Sequence, residues 1–159
     1  MRFRALILTM LLAGTVPFNC VGANEASGQE SRQEKPDQQV GKMKIAMTIE
    51  GKTITATLVD NETSKDFVPL LPLTLTLKDY AATEKISDLP RKLSTKGAPP
   101  GCDPAVGDIT YYAPWGNLAL FYKDFGYSNG LVKLGSIDSG VEALNRSGPL
   151  TVTIELIKE

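Results

Sequence analysis

From Met43 onward, apolar and polar residues alternate with a period of two, and that period organises most of the chain. Met43, Ile45, Met47 and Ile49 are separated by Lys44, Ala46 and Thr48; beyond Glu50-Gly51-Lys52, Ile54, Ala56 and Leu58 alternate with threonines. This predicts two half-buried strands joined by a glycine-containing turn. Asp60-Asn61 offers an N-cap to a short helix over about residues 62–70, limited by Pro69 and Pro72. Leu73-Thr74-Leu75-Thr76-Leu77 restores the alternation, and Ile86 to Leu89 predicts a short strand. In the loop 96–107, Pro99, Pro100 and Pro104 disfavour a continuous ladder.

Asp108–Ala113 and Asn117–Lys123 read as aromatic-rich strands on either side of Pro114-Trp115-Gly116, and Leu131–Ile137 as a further strand. Ser139 with Glu142 three residues later matches a capping box for a helix of about two turns through Val141 and Leu144, stopped by Gly148-Pro149. Leu150, Val152, Ile154 and Leu156 give the cleanest alternation of all. About eight strands and two short helices, without strand-helix alternation, predict a mainly β fold: a closed antiparallel barrel with helical plugs.

The N-terminal part does not follow this pattern. Arg2 and Arg4 precede the apolar run Ala5–Val16, then Pro17 and small residues ending at Val21-Gly22-Ala23. Those are the three parts of a secretory signal. The run is too short for a membrane helix, which needs roughly 20 apolar residues. Residues 1–23 are therefore expected to be a signal peptide. Phe18 and Asn19 suit a lipoprotein signal poorly, so lipidation at Cys20 stands as the alternative to its removal. Residues 24–42 are rich in Glu, Gln and Ser, with Ala26 and Val40 their only apolar side chains. Such a segment cannot offset its ordering entropy and is expected to be a disordered linker. Residues 43–159 form the domain, exported to the periplasm or beyond, with the membrane met only through the signal or a lipid on Cys20.

Composition narrows the function. The chain has 159 residues, 42% hydrophobic, with 17 basic and 18 acidic side chains, two cysteines and no histidine. Removal of the signal leaves 15 basic against 18 acidic side chains, a net −3. There is no basic field to recruit nucleic acid. Without histidine there is no Ser-His-Asp triad, Cys-His dyad, histidine-held zinc or haem, or imidazole acid-base pair. No nucleotide-binding glycine motif occurs, and no cofactor is expected. Cys102 is alone in the domain if Cys20 is discarded. Glu84, Asp88, Asp103 and Asp108 lie in the irregular middle, but scattered acids are ordinarily solvated.

The most distinctive segment runs from Gly107 to Tyr122. It concentrates Trp115, three of the five tyrosines and Phe121. Aromatics around a Pro-Trp-Gly turn suit a pocket for an apolar or planar ligand; the alternative is that they are scaffold, facing in and out along paired strands. Trp115 beside a turn glycine is least explained by packing.

At Tyr112-Ala113-Pro114-Trp115-Gly116-Asn117-Leu118 the chain resembles the bacterial cyclophilin-like domain family, barrels without the active-site signature of cyclophilins. The likeness extends through Asp60-Asn61-Glu62-Thr63, Leu71-Pro72-Leu73-Thr74-Leu75, Glu84-Lys85, Leu89-Pro90, Gly107-Asp108, Phe121-Tyr122 and Leu134-Gly135. The resemblance implies an eight-stranded closed barrel with a helix near each open end. It carries over no catalytic residue, because cyclophilins use an arginine in a Phe-His-Arg context and a further histidine, whereas the only domain arginines here are Arg91 and Arg146.

The resulting expectation is a non-enzymatic module that binds a small molecule or an extended peptide through Glu84, Tyr112, Trp115, Asn117, Phe121 and Tyr122. The alternative is prolyl isomerisation by a histidine-free groove. That reaction needs no proton transfer by the enzyme, only a dry site and one donor against a barrier of roughly 18–20 kcal/mol.

Overall fold

The computed structural model describes residues 43–158; the expected signal, its Cys20 and the linker lie outside the described residues. The strands are β1 (Lys44–Ile49), β2 (Lys52–Leu58), β3 (Leu73–Tyr80), β4 (Glu84–Asp88), β5 (Gly101–Cys102), β6 (Asp108–Tyr112), β7 (Asn117–Phe121), β8 (Ser128–Asn129), β9 (Leu131–Ile137) and β10 (Leu150–Leu156). Eight of them close a barrel in the order β1-β10-β3-β4-β7-β6-β9-β2, antiparallel at every seam, while β5 and β8 pair separately.

Alternation puts Ile45, Met47 and Ile49 of β1, Ile54, Ala56 and Leu58 of β2, and Leu150, Val152 and Ile154 of β10 into one buried core. Each fully buried side chain of this size contributes on the order of 1.5–3 kcal/mol. The β1–β2 turn is Glu50-Gly51, both at positive φ (50° and 83°), which is the twist a two-residue hairpin requires. Asparagine tolerates that region far better than glutamate. Glu50→Asn is therefore expected to raise stability by about 0.5 kcal/mol in thermal denaturation, and a lowered midpoint would contradict this reading of the turn.

One end of the barrel is closed by α1 (Glu62–Phe67), continued by a 3-10 turn over Val68–Leu70. Asn61 caps it, accepting from Ser64 N at 2.8 Å and donating to the Lys133 carbonyl at 2.9 Å; Ser64 Oγ donates to the Leu134 carbonyl at 2.9 Å. These bonds fix the helix to β9 and drive Phe67 into the core. Arg91 then clamps Asp66 through both carboxylate oxygens, at 2.7 and 2.8 Å, which with Ser94 N holds that carboxyl down at about 2.

The opposite end departs from the expected second helix. It carries a single 3-10 turn, Val141–Leu144, capped by Gly140 in the left-handed region (φ 86°), not by Ser139. The carboxylate of Glu142 is taken by Lys52 Nζ at 3.2 Å instead of reaching back to a capping box. Leu144, fully buried, closes this end. The fold thus has one short α-helix plus 3-10 turns where two short helices were expected.

The same end holds an inversion of the pattern. On β4 the side chain that faces the core is Lys85, completely buried, while Ile86 faces out. Lys85 Nζ donates to Asp79 Oδ2 at 2.6 Å and to the carbonyls of Arg146 and Gly148 at 2.5 and 3.1 Å. The amine ties β3, β4 and the approach to β10 together where no apolar side chain could satisfy those oxygens.

Candidate functional site

The cavity of interest lies on the outer face of the barrel, not inside it. On β7, Leu118 and Leu120 point into the core, so Asn117, Ala119 and Phe121 point out. Yet all five residues of β7 are buried, because its outer face is covered too. The cover consists of the loops that carry β5 and β8. Gly101 pairs with Asn129 and Cys102 with Ser128, Gly130 N donates to the Pro100 carbonyl at 2.7 Å, and Phe125 leans on Phe121 with ring centroids 6.2 Å apart. Glycine at 101 is required by this close approach: a Cβ there would sit 2.3 Å from the Ser128 carbonyl oxygen.

Strand register assembles the walls. Tyr80 of β3, Glu84 of β4 and Phe121 of β7 lie side by side; Ile86 lies beside Ala119; and Asn117 lies beside Tyr112 of β6. Trp115 folds back from the β6–β7 turn and stands perpendicular to two tyrosines, 5.3 Å from Tyr112 and 5.6 Å from Tyr80. Small Ala119 leaves space between these rings. The cavity, open to solvent at one side, measures about 180 Å³. Trp115 is 56% exposed at its mouth, and Tyr80 and Phe125 are exposed beside it.

Two polar groups in these walls stand out. Asn117 is only 2% exposed, and its Oδ1 is the one buried side-chain oxygen or nitrogen among the described residues without a hydrogen bond. An unmade bond of that kind costs about 1–3 kcal/mol. Glu84 has burial as the sole influence on its carboxyl, which is pushed up to about 7. The folded state therefore favours protonated Glu84. Its contribution is most favourable below the ordinary 4.5 and is lost as pH rises from there through about 7. The group is partly exposed, so solvent screening reduces the loss to about 1 kcal/mol. Glu84→Gln is expected to flatten this part of the curve in urea unfolding across that window. An unchanged slope would contradict it.

Of the six residues expected at the site, Glu84, Tyr112, Trp115, Asn117 and Phe121 line this cavity. Tyr122 does not. It follows Phe121 and so takes the other face of its strand, donating its hydroxyl to Asp79 Oδ1 at 2.7 Å and packing toward the core; burial and Asp79 push its pKa up to about 12. Parity along the strand would have separated Phe121 from Tyr122. Tyr80, Ile86, Ala119, Phe125, Ser128 and Leu131 complete the lining and were not anticipated. For Ile86 the signal was its parity with Glu84, whereas Phe125 and Ser128 arrive on loops that carry no period.

The scattered acids do not converge. Asp108 is buried against Ser136 Oγ and Lys133 Nζ, at 2.9 and 2.7 Å, and Asp88 is exposed. Among the described residues no group of three or more Cys, Asp or Glu side chains is arranged to hold a metal ion. The Cys102 thiol is pushed up, first by burial, and thus away from the reactive thiolate. Neither domain arginine lines the cavity.

No curated protein matches the chain in sequence. Among solved structures, a hypothetical protein from Archaeoglobus fulgidus, determined in solution, is similar with a TM-score of 0.52 and 15% identity, over 72% of this chain and 94% of that one. At that identity the likeness speaks to the fold alone. The model of the Cyclophilin-like family matches residues 47–155, from inside β1 to the penultimate residue of β10, and so reaches every barrel strand and both loops that cover the cavity. With its closed eight-stranded barrel, this chain belongs to the Cyclophilin-like family.

Proposed function

We propose that the domain is an exported, non-enzymatic binding barrel that takes a small molecule or part of an extended peptide into the outer-face cavity. The observation that carries this reading is the orphaned Oδ1 of Asn117, buried in a wall built mostly of aromatic and apolar side chains. A buried polar group without a partner is costly in the free protein, and a ligand that supplies the bond recovers that cost. The aromatic surroundings supply apolar contact, and the few polar groups, Asn117 and Glu84 foremost, fix orientation.

Trp115 is the only tryptophan, so its emission reports on the cavity mouth alone. A panel of metabolites and short peptides titrated into the full chain is expected to yield compounds that shift this emission, with binding weakened by Asn117→Leu. A panel that never moves the emission, together with Trp115→Ala altering stability only, would sink the reading. A protease-coupled assay with proline peptides is expected to run at the uncatalysed rate at micromolar protein; acceleration would replace binding with isomerisation. Export is read from residues 1–23, and N-terminal sequencing of the mature protein tests it: a start at Asn24 fits the expected cleavage, and a lipid-modified start at Cys20 would mean an anchored protein.

A further inference from the structure

Resting on the cavity being a binding site, we infer that its ligand is an organic cation: an ammonium group on a short apolar stem, with the charge set against Glu84 and the stem among the aromatic rings. Three observations converge. The first is charge. Glu84 is the only carboxylate in the lining, no lysine or arginine among the described residues lines the cavity, and nothing pairs with the Glu84 carboxylate. An anionic ligand would meet that carboxylate unopposed, whereas an ammonium group would neutralise it.

The second is the nature of the walls. Tyr80 and Tyr112 stand nearly perpendicular to Trp115, at interplanar angles of 84° and 86°. Rings set at right angles form sides of a box, and the negative faces of such rings attract a cation as well as an apolar stem. Glu84 lies next to Tyr80 on the neighbouring strand, so the carboxylate adjoins the Tyr80 side of the box, while Tyr112 stands beside Asn117.

The third is length. Asn117 lies opposite Asp88, four residues along β4 from Glu84, which corresponds to roughly 13 Å at the strand rise. A ligand that pairs with Glu84 therefore extends along the strands, over Ile86 and Ala119, before it meets the carboxamide. A short stem suits that path better than a compact inorganic ion.

The groups that line the cavity with Glu84 come from each neighbouring element and include no other carboxylate, lysine or arginine. Tyr80 comes from β3, Phe121 from β7, and Tyr112, Trp115 and Phe125 from β6 and the adjoining loops. Lys85, Asp79 and Tyr122 bond to one another on the far side of the sheet, away from it. Protonation of Glu84 should therefore oppose cation binding without interference from a second charged group.

The test uses the full chain and Trp115 emission, with three probes that share a phenyl ring on a short stem: phenethylamine, 2-phenylethanol and phenylacetate. At about pH 8 the amine is expected to bind about tenfold more tightly than the alcohol, and the carboxylate more weakly than either. The advantage of the amine should shrink as pH falls to about 5.5, with the alcohol unaffected, as linkage to one carboxyl requires. Glu84→Gln should bring the amine down to the level of the alcohol. The pH series on the unmodified chain needs no variant and stands even if that substitution perturbs folding. A tripeptide Gly-Lys-Gly blocked at both ends separates the sources: its binding with phenethylamine inactive would mark a lysine side chain presented by a peptide, and the reverse a free amine. Equal or tighter binding of the alcohol or the carboxylate would overturn the cation and leave the binding site standing. Silence of all the probes overturns the cation as well, and the binding site falls with it only if the wider panel is also silent.

Discussion

Lys85→Met is expected to lower stability by about 3 kcal/mol, although methionine keeps most of the length and the apolar character of the stem. The loss comes from what the amine leaves behind. The carbonyls of Arg146 and Gly148 and one oxygen of Asp79 all accept from Lys85 Nζ, and Lys85 has no exposed surface. Breaking a buried pair strands its partners, which is far more costly than never having had them. Asp79 is 36% exposed and keeps its bond from Tyr122, which places the effect at the lower end of the range for buried pairs. The loss should also depend on pH. Lys85 is the first cause holding the Asp79 carboxyl below its ordinary value, with Tyr122 second. That stabilisation is present above the ordinary carboxylate range and is lost as pH falls through the depressed value. The gap between variant and parent should therefore narrow in acid. Urea unfolding at neutral and acidic pH measures both; a loss under about 1 kcal/mol would show that the barrel end does not depend on this amine.

Phe121→Ala should cost about 3–4 kcal/mol, whereas Trp115→Ala should cost less than about 1 kcal/mol while removing the aromatic side from the cavity mouth. Phe121 is 1% exposed and joins the outer face of β7 to Ala119, Leu131 and the loop ring of Phe125. Deleting it opens a hole between barrel and cover. Trp115 is more than half exposed and packs chiefly on two tyrosine edges. The two variants separate stability from binding: the first should lose its folding midpoint, and the second should keep the midpoint and lose affinity for ring-bearing ligands. A reversed order in denaturation would mean that the indole, not Phe121, anchors the covering loops.

The contrast between these two aromatics also shows where sequence ceases to inform. β1, β2 and β10 were legible because one of their faces meets the core and the other meets water, so their side chains alternate in polarity. β7 was less so. Its sequence Asn-Leu-Ala-Leu-Phe is buried throughout, so polarity does not distinguish the inward leucines from the outward Asn117, Ala119 and Phe121. β4 misleads outright, placing Lys85 inward and Ile86 outward. The pattern Ser139–Glu142 promised a capped helix, but the segment between β9 and β10 has room for one tight turn, and Lys52 claims the glutamate.

The candidate site divides along the same line. Trp115, Tyr112, Asn117 and Phe121 stand within ten residues of one another and were visible as one cluster; Glu84 was visible as an acid without an obvious role. What joins Glu84 and Tyr80 to that cluster is the local hairpin of β3 with β4 together with the pairing of β4 with β7, a contact between segments far apart in sequence.

By itself, the sequence determined a closed barrel of period-two strands and excluded imidazole chemistry, because alternation and composition are local properties that every fold of the chain must respect. Only the tertiary structure decided that the cavity lies outside the barrel, that a lysine faces in, and that Asn117 is left without a partner. Those facts depend on which strand lies beside which and on what covers the sheet, and no single segment carries that information.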